Sequence, residues 1–105
     1  MLDLEIIKQQ CRIEPDESEE DALLETYSNA ARRYVENYTD RLLFETPEAA
    51  AAAIVNGVIA PLVLDDDITT AMLVYIAYRF EDRQGEKPLP PAVNEILWPY
   101  RRLGV

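Results

Sequence analysis

The sequence holds no histidine, one cysteine, three glycines and half as many basic as acidic residues, 10 Lys and Arg against 20 Asp and Glu. Each shortage closes off a class of function. With no His and only Cys11, zinc sites built from His and Cys are excluded. A lone cysteine forms no intramolecular disulfide and fits a cytosolic origin. Three scattered glycines make no phosphate-cradling loop. A net charge of −10 repels nucleic acid, because affinity for it comes largely from Lys and Arg displacing counterions. The longest apolar run falls short of the roughly 20 residues a bilayer span needs, so no membrane is expected. Met1-Leu2-Asp3-Leu4-Glu5 lacks a basic segment and a long apolar stretch, so no signal peptide is expected.

What is present points to a helical protein. One domain is the natural reading of 105 residues. A chain of this size buries roughly 65% of its unfolded surface, enough for a single core. The most informative stretch is Ile68 to Phe80, entered from Asp65-Asp66-Asp67 and left through Glu81-Asp82-Arg83. Between Ala71 and Tyr78 no residue is charged. A helix there is apolar on every face and must be covered on every face. It is the expected central helix, and so short a chain has few elements to wrap it, which hints that neighbouring chains contribute.

Three further helices are expected. Asp3 caps a short one, Leu4 to about Gln10, and Pro15 breaks the chain after it. Asp16 with Glu19, and Ser18 with Asp21, resemble capping boxes opening a long helix, Glu17 to Thr39. Ala22, Leu23, Tyr27, Ala30, Ala31, Tyr34, Val35 and Tyr38 recur along it at helical spacing. The stripe Leu23, Tyr27, Ala31, Tyr34 is expected to pack on Leu73, Ile76 and Ala77 of the central helix. The fourth helix runs from Ala92 to about Trp98, beyond the linker 84–91, whose prolines suit no helix interior.

The middle, about 42–64, reads as an irregular or extended arm. Arg41 to Glu45 is compatible with a strand. Thr46-Pro47-Glu48 then starts a helix through an alanine run, and Asn56-Gly57 stops it. Leu42, Leu43, Phe44, Ile59, Leu62 and Leu64 are apolar residues in segments of weak helix signal, and an extended apolar arm finds cover by adding to an adjacent subunit. They are the candidate oligomerisation residues. The fold class is therefore all-α: a small helical bundle around a central apolar helix, with this arm in its middle.

Chemistry is scarce. The acid triplet invites a divalent cation but lacks the alternating acids, turn glycine and distal glutamate of a calcium loop; helix capping explains it more simply. No Ser, Cys or Lys arrangement suggests a nucleophile, so no enzyme and no cofactor are expected. The tyrosines suit either an ordinary core or an inter-subunit surface. Trp98, Tyr100, Arg101 and Arg102 in the tail 92–105 either fold back or anchor another protein, and they are the candidate partner-docking residues.

The order of motifs resembles the phage head–tail connector family, the small helical adaptor or head-completion proteins of long-tailed phages and prophages. The residues that carry this are Lys8 with Arg12-Ile13, Glu20-Asp21-Ala22-Leu23-Leu24, Ala30-Ala31 and Val35 to Arg41. Asp67-Ile68, Ala71 to Leu73, Ala77 and Phe80-Glu81 with Arg83 follow, then Pro91-Ala92-Val93, Ile96-Leu97 and Pro99-Tyr100-Arg101. Residues 42–60 depart from the pattern. The resemblance implies a ring of about a dozen copies meeting portal and tail-completion proteins in the virion, assembled in the host cytoplasm, with DNA passing through. A smooth acidic channel lets a duplex slide where a basic one would hold it. Two other classes stay open on the residues alone, an acidic DNA mimic or protein-binding regulator and a small enzyme.

Overall fold

The computed structural model describes residues 1–102, so Leu103, Gly104 and Val105 of the expected tail lie outside the described residues. Five α-helices and one two-stranded sheet follow in chain order: α1 Leu4–Cys11, α2 Asp21–Thr39, β1 Leu43–Phe44, α3 Pro47–Val55, β2 Leu62–Val63, α4 Asp66–Glu81 and α5 Pro91–Leu97. A 3₁₀ turn, Trp98–Tyr100, closes the series. The fold is all-α apart from that small sheet. Helix α4 is central, packing against α1, α2 and α5.

Local chemistry sets the helix starts. Asp65 caps α4, its Oδ1 accepting from the Ile68 amide at 2.8 Å. Thr46 caps α3, its Oγ1 accepting from the Ala49 amide at 3.1 Å, with Pro47 at the first helical position where its missing N–H costs nothing. The start of α2 departs from expectation by four residues, 17 against 21. The Lys8 ammonium takes the carbonyls of Pro15 (3.3 Å) and Glu17 (2.5 Å), and the Asp21 amide turns to Ser18 instead. Those carbonyls are spent on the ammonium, the loop stays in turns, and neither expected capping box forms; Glu20 stands at the cap, but its side chain makes no capping bond to the helix amides.

Lys8 also lies 2.9 Å from Asp21 Oδ1. The contact is an ion pair rather than an aligned hydrogen bond. Lys8 is buried, 6% exposed, so it joins α1, the acidic loop and the start of α2 from inside. Lys8→Ala removes two charge-assisted bonds and leaves Asp21 uncompensated. It is expected to lower unfolding free energy by about 2–3 kcal/mol, read by denaturant titration.

The core stripe on α2 is Leu24, Ser28, Ala31, Val35 and Thr39. This shifts the expected stripe by one position: Ala31 is buried, but Leu23, Tyr27 and Tyr34 are half-buried. Small Ser28 and Ala31 let the helices approach, while the tyrosines lie at the rim, where the Tyr34 hydroxyl donates to Asn94 Oδ1 at 2.5 Å. On α4 the buried edge is Ile68, Ala71, Met72 and Ile76. Ile76 faces inward as expected, whereas Leu73 and Ala77 are half-buried, as are Val74, Tyr75 and Tyr78. Leu73, Val74 and Tyr75 pack against the core while keeping part of their surface open.

Candidate functional site

Residues 42–64 form a compact β–α–β arm. Strands β1 and β2 pair in parallel, Leu43 opposite Leu62 and Phe44 opposite Val63. The amides of Leu62 and Leu64 donate to the carbonyls of Leu42 and Phe44, each at 2.8 Å. On its other edge β1 is stapled to α2: Glu36 accepts from the Leu43 amide and Arg32 donates to the Leu43 carbonyl, both at 2.8 Å. Leu43 is thereby fixed in the core, and this edge of the sheet has no free groups to offer another chain. The Arg41 guanidinium ties the arm's base to the tail, donating to the carbonyls of Ala60 at 2.9 Å and of Pro61 and Tyr100 at 3.1 Å.

The six candidate arm residues separate by burial. Leu43 and Leu62 belong to the subunit's own core, which corrects their expected role as cover for a neighbour. Strand pairing within the chain has already used them. Phe44 and Leu64 are half-buried. Leu42 and Ile59 face out, 49% and 67% exposed, and with them stand Ile54 and Val55 at 58% and 86%. Sequence reasoning missed these last two, reading them as the end of an alanine helix. Helix α3 buries only Ala50 and Ala53, and it packs chiefly on its own two strands, so its branched residues are left outside. Of the six large apolar side chains exposed among the described residues, four are on this arm; the others are Ile6 and Trp98.

The tail candidates also divide. Tyr100 turns back, donating to Asp65 Oδ2 at 2.7 Å and reaching Asp67 Oδ2 at 3.3 Å. The Arg102 amide donates to the Thr39 carbonyl at 2.8 Å. Trp98 and Arg101 stay outside: Trp98 is 52% exposed, and the Arg101 guanidinium lies 5.5 Å from its ring centroid and 5.4 Å from that of Tyr38. The stack continues inward. Tyr38 lies parallel to Tyr34 at 6.2 Å, Tyr34 meets Tyr75 at 5.3 Å, and Arg79 covers Tyr75 at 5.4 Å. Tyrosine, tryptophan and arginine on one continuous surface are the residue types that anchor interfaces.

The hydrogen bond to Asp65, with Asp67 adding to it, pushes the Tyr100 hydroxyl up to about 12 from the usual 10.0. The native state therefore holds this proton more tightly than the unfolded chain. The contact contributes fully below pH 10 and is lost as pH rises through about 12. Tyr100→Phe should lower stability by under about 1 kcal/mol at pH 8, the hydroxyl being solvent-exposed. The gap to the parent should close between pH 10 and pH 12. Thermal melts of both proteins across that range check it.

Burial pushes the Cys11 thiol up, and Glu81 adds to this, opposite to what a nucleophile needs. Among the described residues no group of three or more His, Cys, Asp or Glu gathers to hold a metal ion, and Asp65 is engaged as a cap. No helix among them is long and apolar enough to cross a membrane. What the surface offers is an apolar arm and an aromatic ladder.

No curated protein and no solved structure matches the chain. A family model does match, over residues 1–101, a span that takes in the arm, the central helix and the returning tail: the chain belongs to the phage gp6-like head-tail connector protein family.

Proposed function

We propose that this one-domain structural connector assembles with further copies of itself into a closed ring at the head–tail junction of the virion, and that DNA passes through the ring. The arm carries this reading, with four exposed apolar side chains on one β–α–β unit. Exposed apolar surface of that kind on a small protein marks a protein–protein contact. The half-covered α4 supports it too, as apolar surface that neighbouring chains would finish covering. Trp98, Arg101 and the tyrosine ladder suit a second contact, with portal or tail-completion proteins, because the basic tail complements an acidic or mixed surface.

Passage without grip follows from the charge. At −10 the subunit should show no shift of double-stranded DNA at micromolar protein near physiological salt. A band shift that weakens as salt rises would overturn the idea of a sliding channel. The connector role is tested by complementation: a phage lacking the chain should accumulate heads without tails, and the full chain should restore joined particles. Joined particles formed equally well by a chain without residues 46–60 would contradict the arm's role.

A further inference from the structure

Between the C-terminal end of α2, the arm and the tail lies a surface groove of about 520 Å³, lined by Arg33, Arg41, Leu42, Ile59 and Arg102 among others. Its charge runs against that of the rest of the chain. Arg32, Arg33, Arg41, Arg101 and Arg102, five of the ten basic residues, are gathered at this end. Glu36, on the groove wall, is already held by Arg32 at 3.7 Å and by the Leu43 amide. Arg41 is consumed by three carbonyls. Arg33 and Arg102 have no carboxylate partner among the described residues, and Asp40 is the other acid on the wall.

The opposite end of α2 carries the opposite charge. There the loop before α2 presents Glu14, Asp16, Glu17 and Glu19, all exposed and without an ion pair among the described residues. The neighbouring acids are already used: Lys8 holds Asp21, and Arg83 holds Glu20 at 3.2 Å. The loop is not slack, because Lys8 fixes its carbonyls from below. A helix of 19 residues sets the two ends about 28 Å apart. Basic groove and acidic loop therefore cannot meet within one subunit, but they can meet between two.

We propose that the arginine-lined groove receives the acidic loop Glu14–Glu19 of a second copy. The inference rests on the self-assembly reading above and names the contact. A groove at one end taking a loop from the other end is a head-to-tail contact, the kind that generates a ring when the rotation closes. The apolar groove wall, Leu42 and Ile59, is part of the exposed arm surface, so one docking event would cover apolar area and pair charges together.

Charge reversal tests it, with light-scattering mass as the readout. Arg33→Glu should raise the concentration needed for assembly about tenfold, and Glu17→Arg with Glu19→Arg should do the same. All three changes in one chain should return it to within about threefold of the parent. Because all three side chains are exposed and unpaired, circular-dichroism melts should stay close to the parent's. Assembly of the single-end variants at the parent's concentration, or a combined chain no better than its components, overturns the groove contact alone. A parent chain that stays monomeric at every concentration overturns the assembly reading and this contact with it.

Discussion

Ile76→Asp should abolish folding, while Leu73→Asp should leave a helical, cooperatively melting subunit. Ile76 has no exposed surface and belongs to the core around α4, so the substitution loses an apolar side chain worth about 3 kcal/mol. It also leaves a carboxylate with no partner in an apolar site, at a cost of several kcal/mol more. The sum approaches the whole stability of a small domain, about 5–15 kcal/mol. Leu73 is half-buried at the edge of the same helix, where a carboxylate can turn to water. Far-UV circular dichroism and thermal melts separate the two. A soluble, cooperatively folded Ile76→Asp protein would show that α4 is not the core.

That contrast also marks how far the amino-acid pattern could be read. The apolarity of residues 71–78 pointed to a central helix, and α4 is central. It gave no way to choose a side, since a helix apolar on all faces has no polar face to exclude. Leu73 and Ala77 were expected inward, yet Met72 and Ile68 are. On α2 the tyrosines drew the stripe one position off, because periodicity weighs Tyr27 and Tyr34 as apolar while both stay half-buried, Tyr34 with its hydroxyl on Asn94. Two local caps were legible, Asp65 and Thr46, which bond amides three residues on, while Asp3 stands at the start of α1 without a side-chain capping bond. The start of α2 was not, because it depends on Lys8 reaching across from another helix.

The exposed surface was legible in the same partial way. Weak helix signal and surplus apolar residues singled out 42–64 as the unusual segment. Which residues face out depends on the pairing of β1 with β2, a contact between positions 19 apart that no local pattern records. Leu43 and Leu62 vanish into the core by that pairing, and Ile54 and Val55 emerge at the outer end of α3. Trp98 suited the core as well as a docking surface on sequence grounds; its side chain is outside, while its neighbour Tyr100 folds back.

The second large effect is expected on the arm. Ile54→Ser, Val55→Ser and Ile59→Ser together remove most of its exposed apolar surface without changing charge. Since none of the three side chains is in the core, the subunit's own unfolding free energy should change by under about 1 kcal/mol. Covering them in an interface is worth about 3 kcal/mol in all, after allowing for ordering costs, so assembly should weaken at least about 100-fold. Sedimentation across a concentration series reads the association, and a denaturant titration reads the fold. A variant that unfolds instead would place these residues in the core, and one that assembles like the parent would place the interface elsewhere.

Self-assembly is tested most directly by the light-scattering mass of the unaltered chain, followed from micromolar to millimolar concentration near physiological salt. The arm, the half-covered central helix and the head-to-tail charge arrangement predict a mass that rises to a fixed high multiple of the monomer and then stops, as a closed ring requires. A mass that stays at the monomer over the whole range, or one that climbs without limit, would contradict it.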